Sequence, residues 1–116
     1  MLTTQKFDLK IQSEFQKCMK DLEWLSKTWQ QLVKEFELSG IEPPEKNQTL
    51  SVDAMLKELM LKLEDIGKQP QSFSQLLYRI DLPKQLIIEN LSINELAEII
   101  ILRSFQKVWL RKYYSK

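Results

Sequence analysis

The sequence predicts an all-α fold: a single helical bundle of about five helices, two long and three short, formed by residues 1–116 as one domain. Two observations carry this. Apolar residues recur at spacings of three and four along most of the chain, while no alternating β-branched run bounded by turns calls for a strand. Both glycines and all four prolines fall between those periodic segments rather than inside them, where helix stops and starts are expected.

The first element is predicted to be the longest. Ile11, Phe15, Cys18, Leu22, Leu25, Trp29, Leu32 and Phe36 are spaced alternately four and three apart, an a/d seam that Met19 and Val33 widen. No Pro or Gly interrupts residues 4–38, Thr3 or Thr4 can cap the start, and Ser39-Gly40 supplies the stop. One continuous helix of about 34 residues follows, roughly 51 Å long at 1.5 Å per residue. A compact domain of this length is only ~35 Å across, so the helix is expected to overhang its own bundle. Ile11 and Phe15 on the overhang, together with Trp24, are the candidate partner-binding residues, with a second copy of the chain as the simplest cover. Trp24 stands out because, at 100° per residue, it points about 130° from the centre of the stripe of Leu22, Leu25 and Trp29.

A polar linker over about residues 40–51 contains Pro43-Pro44 and favours extended backbone. Ser51 then caps the second helix, with Leu50 and Met55 as a hydrophobic staple, and Gly67 ends it. Val52, Met55, Leu56, Leu59, Leu63 and Ile66 form its apolar face. After Gln69-Pro70, Ser72 is the expected cap of a short third helix bearing Phe73, Leu76, Leu77 and Ile80, and Pro83 opens a fourth that reaches about Asn90. The fifth helix has the strongest start signal. Ser92-Ile93-Asn94-Glu95 reads as a capping box, with Leu91 and Leu96 as its staple. From there to about Tyr114, Leu96, Ala97, Ile99, Ile100, Ile101 and Leu102 point around most of the circumference, which places this helix at the centre.

Composition excludes much chemistry. With no His and a single Cys, the chain cannot build a Ser/His/Asp triad, a Cys/His pair, an ordinary zinc site or a disulfide framework. Two isolated glycines form no phosphate-cradling loop. A carboxylate di-metal site needs Glu-x-x-His, so Glu95 and Glu98 are read as capping and solvated residues. Cys18 is read as a small hydrophobe in the seam, and Met19, Met55 and Met60 as core packing. No metal, no cofactor and no enzymatic activity are therefore expected. The opening residues lack the charged start and apolar core of a secretory signal, and the longest strongly apolar run, Ile99 to Leu102, is far short of the ~20 residues of a span. A cytoplasmic location is expected.

The net charge of +1 is unevenly distributed: −1 over residues 1–49, −3 over 50–102 and +5 over 103–116. Arg103, Lys107, Arg111, Lys112 and Lys116 interleave with aromatics, a pattern that suits either a nucleic-acid surface or a helix C-terminus whose dipole the cations complement. The preferred function is a non-enzymatic protein-interaction module that self-associates through helix faces, with a homo-oligomer or protein partner. The alternative is a small nucleic-acid-binding regulator that uses this basic, aromatic segment.

Overall fold

The computed structural model describes residues 9–45, 50–80 and 92–114. Among them are five helices and no strand: α1 (Leu9–Cys18), α2 (Leu22–Leu38), α3 (Val52–Ile66), α4 (Pro70–Ile80) and α5 (Ile93–Tyr114). The all-α bundle is therefore as expected, although its five helices are not the five read from the sequence. The long first helix is divided in two, and the short helix expected from Pro83 to about Asn90 lies outside the described residues, as do Thr3 and Thr4.

The division has a local cause. Asp21 adopts extended backbone (φ −101°, ψ 124°), and its side chain accepts a hydrogen bond from the Glu23 N–H at 2.9 Å. An N-cap aspartate satisfies an orphan donor and favours a new helix start, which Glu23 in the first turn reinforces. Leu22, placed on the seam by its spacing, is consequently 66% exposed. At the other end α2 stops in a Schellman turn: Gly40 takes φ +73°, its N–H donates to the Glu37 carbonyl, and the Ile41 N–H donates to that of Phe36, both at 3.0 Å.

The remaining caps follow the sequence closely. The Ser51 hydroxyl accepts from the Ala54 N–H at 3.1 Å. Ser92 and Glu95 bond reciprocally, at 3.1 and 3.2 Å, completing the capping box of α5. The start of α4 is the exception. It begins at Pro70 rather than after Ser72, because proline is pre-set for a first helical position and Gln69 supplies the preceding carbonyl to the Phe73 N–H.

α5 packs against each of the other four helices. Its Ala97, Ile99, Ile100, Ile101 and Phe105 are all essentially inaccessible although they point around most of its circumference, as expected for a central helix. α2 covers one flank and α3 another, and α4 bridges them. From α2 come Leu25, Trp29, Leu32 and Phe36; from α3 come Met55, Leu59, Leu63 and Ile66.

The expected overhang is absent. The Cα radius of gyration is 13.5 Å and the extents are 36 × 31 × 27 Å. The turn at residues 19–21 folds α1 back onto α5, where Ile11 is only 3% exposed and Phe15 packs edge-on to Phe105 with ring centroids 5.3 Å apart. These two seam residues face their own core.

Candidate functional site

Beside the apolar seam of α2 runs a second stripe, Trp24, Thr28, Gln31 and Glu35, with the same spacing of four, three and four. It faces the C-terminal half of α5. Thr28, Gln31 and Glu35 are buried although polar. Gln31 and Glu35 are partnered by residues one helical turn apart on α5: the Gln31 amide donates to Glu35 Oε1 at 2.6 Å, Lys107 Nζ donates to the same oxygen at 2.7 Å, and the Arg111 guanidinium donates to Gln31 Oε1. Gln31 meets Arg111 while Glu35 meets Lys107, so residue numbers rise along α2 as they fall along α5. The two helices run antiparallel. This network satisfies a buried carboxylate with a positive charge and two donors, the condition under which a carboxylate survives desolvation.

Around the network the structure gathers the cations. Two adjoining depressions share Gln31, Lys34 and Arg111; one continues through Trp24, Lys27 and Lys112, the other through Arg79, Arg103 and Lys107. The chain's three arginines thus stand on one surface built from α2, α4 and α5. Among the described residues Glu35 is the one carboxylate lining it, paired with Lys107, while Lys27 at the rim is bridged to Glu23 at 3.0 Å. A third depression shares Leu38 and Arg79 and adds Tyr78; Leu38 is 53% and Tyr78 86% exposed. The result is a basic groove with Trp24 toward one end and two exposed apolar side chains at the other.

Each candidate residue that the structure describes has a definite place. Arg103 donates to the Ile80 carbonyl at 3.3 Å and to Gln106 at 2.6 Å; Lys107 also reaches the Arg79 carbonyl at 3.3 Å. Arg111 donates back to the Lys107 carbonyl, and Lys112 Nζ sits 5.0 Å from the Trp24 ring centroid. These cations stitch α5 to α2 and α4 as well as charging the surface. Lys116 lies outside the described residues. Trp24 is half-buried rather than isolated: its ring tilts against Phe105 at 5.6 Å and lines the groove. Ile11 and Phe15 share none of this surface's lining, although Phe15 meets the same Phe105 ring as Trp24.

The basic segment was visible in composition, whereas Lys27, Lys34 and Arg79 join it only through tertiary packing. Gln31 and Glu35 carried a usable signal. A polar pair four residues apart on a second heptad stripe, opposite Lys107 and Arg111 at the same spacing, is complementary in charge and periodicity. Among the described residues no group of three or more potential ligands is placed to hold a metal ion, and no helix is long and apolar enough to cross a membrane. Cys18 is half-buried; burial, with Glu14 adding to it, pushes its thiol above the ordinary range.

No protein-family model, curated protein or solved structure matches the chain.

Proposed function

We propose that this chain is a non-enzymatic protein-interaction module that docks an acidic, partly apolar polypeptide segment along the groove of α2, α4 and α5. One observation carries the reading: seven cations from three helices converge on a groove whose end presents Leu38 and Tyr78 to solvent. Arginine and tyrosine are the residues that recur as energetic anchors of protein interfaces, and the oppositely charged partner gains its orientation from the cations. The partner is taken to be a different chain, because the case for a second copy rests on an overhanging seam, and that seam is covered by α5.

Nucleic acid is the second reading, favoured by Trp24 and Lys112 in the same groove, since a single strand uses stacking aromatics beside cations. Against it stands the net charge of +1, small for a domain whose binding rests on phosphate contacts. Fluorescence titrations with a glutamate–tyrosine copolymer, polyglutamate and oligothymidylate separate these readings. The copolymer is expected to bind more tightly than polyglutamate, with affinity that falls as salt rises and is weakened by either Lys34→Glu or Tyr78→Ala. Tighter binding of oligothymidylate would transfer the groove to the nucleic-acid reading. Absence of binding by all three at low salt would remove both.

A further inference from the structure

A second concavity lies between α1, α3 and α5 and shares no lining residue with the basic groove. Its volume is about 210 Å³, and its walls are Phe15, Val52, Leu56, Ile101 and Leu102. Glu98 enters from α5, and its Oε2 is buried without a hydrogen-bond partner among the described residues. The other polar lining groups, Gln12 and Gln16, carry no formal charge, so among the described residues no cation of the lining faces this carboxylate.

A carboxylate oxygen held in an apolar cleft without a donor is costly, and four kinds of group can relieve it: a proton, a water, a side-chain amide of the lining such as that of Gln16, or a cationic donor from outside. The first three leave the surrounding hydrocarbon walls unused. A ligand that carries one N–H donor on an apolar body satisfies the oxygen and the walls together, which is the usual composition of small-molecule sites. The space equals roughly seven water molecules at ~30 Å³ each, so the body is the size of a single ring with a short chain. We propose that the cleft between α1, α3 and α5 binds a small organic ammonium ion whose N–H donates to Glu98 Oε2 while its apolar body packs against Phe15, Leu56 and Ile101.

Calorimetric titration with phenethylammonium, ethylbenzene and phenylpropionate tests this on the unmodified protein. Phenethylammonium is expected to bind about tenfold more tightly than ethylbenzene, the worth of a hydrogen bond to a charged group, and phenylpropionate to be rejected. Glu98→Gln should bring phenethylammonium and ethylbenzene to similar affinity, and Leu56→Trp, which fills the space, should abolish binding of both. Equal affinity for phenethylammonium and ethylbenzene would reduce the site to an unspecific apolar cleft and overturn the proposal without recourse to any variant. Failure of phenethylammonium to bind the folded protein, or its insensitivity to Glu98→Gln, would overturn it as well. Because this site and the basic groove share no residue, copolymer binding is expected to be unchanged in Glu98→Gln.

Discussion

At the level of single residues, the α2 stripe facing α5 mixes one well-satisfied network with one uncompensated group. The Thr28 hydroxyl is buried with no hydrogen-bond partner among the described residues. Valine has nearly the same shape without the hydroxyl, so Thr28→Val is expected to stabilise the fold by about 1 kcal/mol, seen as a melting temperature roughly 4 °C higher. Trp24 moves stability the other way. Its ring rests on Phe105 and carries Lys112, so Trp24→Ala should lower stability by roughly 2 kcal/mol in denaturant melts, less than the ~3–5 kcal/mol of a fully buried aromatic. Retained stability in that variant would mean that the tryptophan serves only a partner. Cys18 gives a pH signature. Burial raises its thiol, so the folded state holds that proton more tightly than the unfolded chain does. This contribution is present below the ordinary thiol pKa of ~8.5 and is lost as pH rises through the higher folded value. Alkylation by iodoacetamide at neutral pH should accordingly be slower than for free cysteine, and Cys18→Ala should flatten the alkaline decline in stability.

At the level of elements, caps decide where helices end even when hydrophobic spacing runs on. Gly40 has open space around its Cα but a left-handed backbone, so Gly40→Ala meets no clash and still strains the turn. A loss of roughly 1–2 kcal/mol is expected, measurable by urea melts, with the helical content of the circular dichroism spectrum unchanged. Element boundaries with a glycine or a capping serine were legible in the sequence: Ser39-Gly40, Ser51, Ser92-Glu95; the start of α4 at Pro70 was not, because Ser72 offered a competing cap. The break at residues 19–21 was not, for a physical reason. Cys18 and Leu22 are four apart, a spacing that continues a seam as well as it spans a turn, and neither Pro nor Gly marks the place. The competing signal, Asp21 followed by Glu23 as cap and first-turn acid, weighs about 1 kcal/mol locally, and docking of α1 onto α5 adds what the straight helix would have lost in exposed apolar surface. The basic segment of α5 was legible as composition. Its companions on α2 and α4 were not, because which helix face meets which is set by packing across 28 to 80 positions of sequence.

For the whole molecule, folding α1 back converts an extended rod into a body 36 Å in its longest dimension. Small-angle scattering of the isolated chain is expected to give a radius of gyration near 13.5 Å plus a hydration layer, and a mass that does not change on dilution; concentration-dependent doubling of that mass would restore a second copy as the partner. The position of α5 in the order of elements also shapes the birth of the protein. α2 closes at residue 38, yet the helix against which it and the other three pack is completed only at residue 114. At ~5–20 residues per second, the apolar faces of α2 therefore wait ~4–15 s on the ribosome for their counterpart. During that interval α2 can meet α4 but not the helix that completes the core, and its Trp29, Leu32 and Phe36 are what a holdase chaperone would meet first.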